Sequence, residues 1–233
     1  MNNTILSKLK GGLIVSCQAL ENEPLHSSYV MQRMAVAAMR GGAVGIRANT
    51  VEDIQKIKEE VSLPVIAIIK RDYQGSDVYI TPTMAEVDEL MAVQPDIIAI
   101  DSTDRTRPFG ETLGSLFQKV RRKYPNQLFM ADCSTIEEGV AAAKMGFDII
   151  GTTMSGYTSY TSNEILPNYD MVNELVQITG KPVIAEGGIS TPEQLKKVME
   201  KGAFAAVVGT AITRPMDITK KFVSVLQKNG NYW

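Results

Sequence analysis

The chain has 233 residues, 44% of them hydrophobic and 21% charged, with a formal net charge of −2. That composition suits a globular protein with a full core and gives no electrostatic footprint for nucleic acid or an acidic membrane surface. No apolar run approaches the roughly 18 residues that span a bilayer, and the start, Met1-Asn2-Asn3-Thr4-Ile5-Leu6-Ser7-Lys8, lacks the charged-then-apolar layout of a signal peptide.

In chain order, residues 1–11 read as a short lead-in. A first apolar strand, Gly12-Leu13-Ile14-Val15-Ser16-Cys17, runs up to Gln18. His26, the one histidine, lies in a polar stretch before a helix and reads as a surface residue. Gly41-Gly42 stop that helix, and a second strand follows at Val44-Gly45-Ile46-Arg47. Thr50-Val51-Glu52-Asp53 opens a helix with Ile54, Ile57 and Val61 at helical spacing. The third strand is Val65–Lys70. Thr83-Met84-Ala85-Glu86 is a capping box. The fourth and fifth strands are Ile97-Ile98-Ala99-Ile100-Asp101 and Leu128-Phe129-Met130-Ala131-Asp132. Thr135-Ile136-Glu137-Glu138 opens a helix that stops at Gly146, and the sixth strand is Asp148-Ile149-Ile150-Gly151-Thr152. A long loop holding Tyr157, Tyr160 and Tyr169 precedes the seventh strand, Val183–Glu186. Thr191-Pro192-Glu193-Gln194 reads as another capping box with Pro192 at the first helical position, and its helix stops at Gly202. The eighth strand is Ala206-Val207-Val208-Gly209. Phe222, Val223, Val225 and Leu226 fit a final helix, packed on its own barrel or on a partner, and Asn229–Trp233 reads as a peripheral tail.

Near-continuous apolar strands point to a parallel sheet covered on both faces. Eight strand–helix alternations with no linker favour a single (β/α)8 TIM barrel over the whole chain, 1–233. The competing open doubly wound sheet would want a Gly-x-Gly-x-x-Gly turn after an early strand, and the sequence has none. Cys17 and Cys133 show neither metal spacing nor a disulfide framework and read as small buried residues in a reducing cytoplasm.

In such barrels the chemistry sits at the carboxyl ends of the strands. Read in order, these ends offer Gln18, Arg47, Lys70, Asp101 with Asp104, Asp132, Thr152 and Thr153, Glu186, and Gly209-Thr210. Asp101 and Asp104 suit a structural role as well as a functional one. The segment Pro-Val-Ile-Ala occurs at 64–67 and again at 182–185. Strand side chains alternate faces, so Lys70 and Glu186 fall on the proline-parity face of strands three and seven, opposite one another in a ring of eight. That geometry suits removal of a proton from one face of a carbon and its return on the other. Lysine needs a lowered pKa for this, from burial or from Arg47 or Arg71. A plain salt bridge between Lys70 and Glu186 is the structural alternative. Glycines at Gly187, Gly188 and Gly209, a short helix starting near Thr210, and Arg214 match the recurrent phosphate site after strands seven and eight, although the glycines would also serve as ordinary turn residues.

Together these residues resemble the N-acetylmannosamine-6-phosphate 2-epimerases of bacterial sialic acid catabolism. The matching segments span the chain, and the most selective are Ile69-Lys70-Arg71-Asp72-Tyr73 and Ser155-Gly156-Tyr157-Thr158. Ala131-Asp132-Cys133-Ser134, Ala185-Glu186-Gly187-Gly188-Ile189 and Gly209–Pro215 also match. The resemblance implies conversion of N-acetylmannosamine 6-phosphate to N-acetylglucosamine 6-phosphate without metal or organic cofactor. It implies Lys70 and Glu186 as acid/base residues; Gln18, Arg47 and Asp132, with Thr153 and Tyr157, as substrate-binding residues; and Gly187, Gly188, Gly209, Thr210 and Arg214 at the phosphate. Tyr157, Tyr160 and Tyr169 would cover the substrate or brace their loop. Inversion at carbon 2 needs loss of a proton beside a carbonyl, so the pyranose should first open. Whether Glu186 opens the ring, acts as second base, or leaves both faces to Lys70 stays open. A metal-dependent pentulose-phosphate epimerase would want histidine ligands, a Schiff-base aldolase would use Lys70 as nucleophile, and a phosphosugar-binding regulator would show no isotope exchange. A homodimer is expected from the base rate for oligomers.

Overall fold

Eight parallel strands close on themselves in the computed structural model, which describes residues 2–227. The elements run α1 (Asn2–Leu9), β1 (Leu13–Cys17), α2 (Ser28–Arg40), β2 (Gly45–Asn49), α3 (Val51–Glu60), β3 (Val65–Ile68), α4 (Met84–Met91), β4 (Ile97–Asp101), α5 (Leu113–Lys123), β5 (Leu128–Asp132), α6 (Ile136–Met145), β6 (Ile149–Gly151), α7 (Tyr169–Thr179), β7 (Val183–Ala185), α8 (Pro192–Glu200), β8 (Ala205–Val208), α9 (Thr210–Thr213) and α10 (Pro215–Gln227). Each strand pairs with its sequence neighbours, and β1 pairs with β8 in the register Ile14 with Val207, so the sheet has no edge. This is the (β/α)8 barrel expected from the strand–helix alternation. Tail residues 229–233 lie outside the described residues.

Two apolar layers account for the pattern. One face of the strands packs against the helices through residues such as Ile46, Ala67, Ile98, Phe129 and Ile150. The other face fills the barrel with Ile14, Ile66, Ile68, Ile97, Met130, Ile149, Ile184 and Val207. The interior set therefore has a strict period of two, and it includes both Pro-Val-Ile-Ala copies at their proline parity. On β2 the inner positions are Gly45, Arg47 and Asn49. A Cβ on Gly45 would lie 2.6 Å from Leu9 Cδ2, so the glycine makes room for a plug. Residues 1–11, read as a lead-in, carry α1, whose Leu9 is fully buried at the bottom of the barrel with Ile5 and Leu6 packed beside it.

Local signals place the helices. Thr50 Oγ1 accepts from Asp53 N, and Thr83–Glu86 and Thr135–Glu138 form reciprocal capping boxes. Thr191 caps α8 by accepting from Gln194 N, but the box expected there is shifted. Gln194 Oε1 accepts from both the amide and the hydroxyl of Ser190, one residue earlier, because Ser190 offers two donors to one oxygen. Cys17 and Cys133 are free and buried, as expected, and burial pushes the Cys17 thiol up to about 12. His26 is exposed. No helix among the described residues is long and apolar enough to cross a membrane.

Leu9→Ala should leave a cavity under the barrel and cost about 2–5 kcal/mol of stability. Urea unfolding checks this: the midpoint should fall, and an unchanged midpoint would mean that α1 does not plug the barrel.

Candidate active site

The inner face of the barrel changes character at its carboxyl end. Continuing the interior parity upward from the apolar layers gives Ser16 on β1 and Gln18 just past it, Arg47 and Asn49 on β2, Lys70 past β3, Asp101 on β4, Asp132 on β5, Thr153 past β6, Glu186 past β7 and Gly209 past β8. Strands that are apolar for most of their length thus end in a ring of polar groups around one mouth. The mouth opens into a cavity of about 400 Å³, within the usual range for a small-molecule site.

At its floor lies Arg47, only 1% exposed. Its Nη2 donates to Asp132 Oδ2 at 2.5 Å and its Nη1 to Asp132 Oδ1 at 3.2 Å, while Nη1 also lies 3.1 Å from Glu186 Oε2. Burial opposes the charge on this guanidinium, but Asp132 and Glu186 outweigh it and hold Arg47 protonated. Thr153 Oγ1 lies 2.5 Å from Asp132 Oδ1 and 3.3 Å from Glu186 Oε2. Asp132 does not line the cavity; it sits fully buried beneath Arg47 and Thr153 and orients both. The Glu186 backbone is tied to β6, its N–H donating to Thr152 Oγ1 and its carbonyl accepting from the same hydroxyl. Burial raises the Glu186 carboxyl, with Arg47 the strongest opposing influence.

Lys70 is held differently from the strand-end picture. β3 stops at Ile68, and the chain continues into a hairpin in which Lys70 bridges Ile80 antiparallel, Thr81 N donates to Ile69 O and Arg71 N to Tyr79 O. Asn49 Oδ1 accepts from Lys70 N at 2.8 Å. Burial lowers the Lys70 amine to about 8, helped by the charges of Arg47 and Arg214. Arg71 is not the neighbouring cation. Its guanidinium turns away to Glu86 and Glu89, and Tyr73 donates to the same Glu86 oxygen. The Lys70-Arg71-Asp72-Tyr73 segment thereby clamps the hairpin to the first turn of α4. Lys70 and Glu186 do not form the salt bridge considered as an alternative: Glu186 pairs with Arg47, and no ion pair joins it to Lys70 among the described residues.

The opposite wall carries the glycine turns and the residues expected at a phosphate. Gly187, Gly188, Gly209, Thr210 and Arg214 all line the cavity. The first amides of α9 have no acceptor within their own helix. Gly188 has φ +70, and a Cβ there would sit 2.3 Å from Leu166 Cβ, so the loop after β6 presses directly on this turn and admits only glycine. Arg214 Nη2 is 3.1 Å from Glu23 Oε1, a carboxylate from the β1–α2 loop.

Of the remaining expected residues, Gln18 donates through Nε2 to Ser16 Oγ, while its buried Oε1 has no partner. Tyr157 lines the cavity and is more than half exposed. Tyr160 braces its loop, donating to Glu138 Oε1 at 2.5 Å. Tyr169 opens α7 with Lys197 over its ring, away from the mouth. Asp101 is structural: Arg105 Nη2 donates to it at 2.6 Å and Thr103 Oγ1 at 2.6 Å. Asp104 is exposed, and its amide donates to Glu138. Sequence reading missed Tyr79, Asn49 and Glu23. Asn49 was signalled by the interior parity of β2; Tyr79 and Glu23 arrive on loops with no periodic signal.

Comparison with known proteins agrees with this geometry. Residues 31–228 match the model of the family described as "Putative N-acetylmannosamine-6-phosphate epimerase". Curated relatives described in the same terms as 2-epimerases include one from Caldanaerobacter subterraneus subsp. tengcongensis, 54% identical over 98% of this chain and 96% of its own. Another, from an Enterobacter species, is 54% identical over 97% of both chains. The solved structure of the N-acetylmannosamine-6-phosphate 2-epimerase from Clostridium perfringens is 53% identical, with a TM-score of 0.90 over 94% of this chain and 95% of that one. A thiamine phosphate pyrophosphorylase from Pyrococcus furiosus, 18% identical with a TM-score of 0.61 over 97% of this chain and 99% of its own, shares the fold. The chain belongs to the N-acetylmannosamine-6-phosphate epimerase family.

Proposed function

We propose that this protein interconverts N-acetylmannosamine 6-phosphate and N-acetylglucosamine 6-phosphate by moving the proton on carbon 2, with Lys70 as the principal base. The observation that carries this reading is a buried amine, lowered to about 8 and free of any carboxylate partner among the described residues, at the mouth of a cavity that ends in an anion-binding wall. The phosphate binds between Gly187, Gly188, Gly209, Thr210 and Arg214, and the opened sugar lies across the mouth towards Arg47. Lys70 takes the carbon-2 proton and becomes an ammonium. The electrons pass into the adjacent carbonyl to form an enolate, and Arg47 and Lys70 place positive charge where the negative charge develops. Reprotonation on the other face gives the epimer.

Glu186 is positioned opposite Lys70 and carries a raised pKa, which suits an acid that returns the second proton. One observation favours a second reading: its Oε2 is already engaged by Arg47 and Thr153, so Lys70 could serve both faces as the planar intermediate turns. Proton NMR in deuterium oxide separates them. The wild type should place deuterium at carbon 2 of both sugars, and Lys70→Ala should abolish conversion and the exchange of at least one epimer. Conversion persisting in Lys70→Ala, or exchange of both epimers there, would remove Lys70 as a base. If Glu186 is the second base, Glu186→Gln should still exchange one epimer while losing conversion; conversion surviving in that variant assigns both faces to Lys70.

The pH dependence has a definite sign. The base acts as free amine, so kcat/KM should rise with pH through an apparent pKa near 8 and level off above it. Arg214 helps hold that pKa down, so Arg214→Ala should move the limb to higher pH as well as raise KM. A limb that stays in place would contradict the electrostatic coupling.

We further propose that the protein works as a cytoplasmic homodimer. α10 is half of the support: Phe222 is 73% exposed and Leu226 72%, and Val223 and Val225 are also open to solvent, so its own barrel leaves these apolar side chains uncovered. The two buried thiols fit a reducing compartment. Light scattering after size exclusion should give twice the 25.5 kDa chain mass, and a mass of one chain would contradict it.

A further inference from the structure

Tyr79 is a residue that neither the strand ends nor the motifs announce. It sits on the hairpin that follows β3, beside the Lys70–Ile80 bridge, and its ring lines the cavity. Among the described residues its hydroxyl meets one acceptor, the Met154 Sδ at 3.8 Å. A thioether is a weak acceptor, so the phenol keeps a strong donor unspent inside the site. The ring itself is fixed from behind. The Arg105 guanidinium lies 5.6 Å from the ring centroid, and Arg105 is pinned through Nη2 to Asp101 Oδ2 at 2.6 Å and through Nε to Thr103 Oγ1 at 2.9 Å. Asp101 is fully buried at the end of β4. A buried carboxylate with no place in the proton transfer thus acquires a purpose: it holds the arm that holds Tyr79.

The charges that reach each tyrosine separate the two ends of the cavity. Tyr157 feels Arg214 at the phosphate side as well as Glu186. Tyr79 feels Asp101, Arg105, Asp132 and Arg47, the side where carbon 2 must lie. Burial, reinforced by the Asp101 charge, raises the Tyr79 phenol and keeps it protonated.

We infer that Tyr79 is a further substrate-binding residue, donating its hydroxyl hydrogen to an uncharged oxygen of the sugar at the end remote from the phosphate, with Arg105 as the positioning residue that holds its ring. The inference rests on the site proposed above, and the experiment keeps the two apart. Wild type and Lys70→Ala establish whether the site performs the epimerisation. Tyr79→Phe removes one oxygen and keeps the ring, so it should fold with an unchanged thermal midpoint. It should lower kcat/KM for N-acetylmannosamine 6-phosphate about 10-fold, the range for a hydrogen bond whose loss leaves a partner unsatisfied. Competitive inhibition by inorganic phosphate should not change, because that anion occupies only the Arg214 end. Arg105→Ala should lower kcat/KM in the wild type but have little further effect in the Tyr79→Phe background, since both act through one hydroxyl. An unchanged kcat/KM in Tyr79→Phe would overturn the inference, as would an inhibition constant for phosphate that rises in step with the loss, or additive effects of the two substitutions.

Discussion

A guanidinium sealed inside a parallel barrel is stable only with its counter-charges beside it, and the upper half of this molecule is organised by that requirement at Arg47. Asp132 takes two of its donors and Glu186 shares a third contact. Removing one partner would strand a buried charge, which costs about 3–5 kcal/mol. The same arrangement sets the electrostatics of the mouth. Asp132 and Glu186 are engaged with Arg47, so Lys70 forms no ion pair among the described residues, and burial with the charges of Arg47 and Arg214 lowers its amine against the weaker pull of Glu186 and Glu23. A lysine with a sizeable free-amine fraction at ordinary pH, next to a permanent cation, suits carbon-acid chemistry: a base before proton transfer and two positive groups after it.

The barrel supplies the precision. Inner positions recur every second residue on each strand, and adjacent strands fix one another's height through their registers, so Asp101 and Asp132 lie directly side by side and Arg47 sits level with Ile66. Apolar layers below, closed by Leu9 of α1, leave the polar ring only one exit. Loops then complete the site. The turn at Gly188 is packed against Leu166, the loop after β6 is tethered through Tyr160 to Glu138, and the hairpin after β3 is clamped by Arg71 and Tyr73 to Glu86. Each tether links an active-site loop to the first turn of a neighbouring helix or to the next loop.

Much of this was legible in the sequence because it follows from periodicity. Strand count, the parity shared by Lys70 and Glu186, and the ring of polar residues at strand ends all depend on the two-residue repeat, and the barrel reproduces them. What was not legible depends on partners far apart in the chain. Of the two cations offered for Lys70, Arg47 acts on it, whereas Arg71, which follows Lys70 directly, is drawn away by Glu86 and Glu89, and Arg214 comes from the far end of the sequence to add its charge. Asp132 was expected at the substrate; in the barrel it is fully buried against Arg47 and Thr153 and does not line the cavity. Tyr79 and Glu23 sit on loops, where no repeat says which way a side chain faces. Residues 1–11 carry little hydrophobic signal beyond Ile5, Leu6 and Leu9, and their role as a plug appears only once the barrel has a bottom to close.

The proposed chemistry depends on the protonation of Lys70 in the free protein. Carbon-13 NMR of protein labelled at the lysine ε-carbon, with Lys70→Arg to assign the resonance, reports that titration directly. The structure predicts a midpoint near 8. A midpoint at the ordinary lysine value of about 10.4 would contradict it, because Lys70 would then be a fully charged ammonium and not the base.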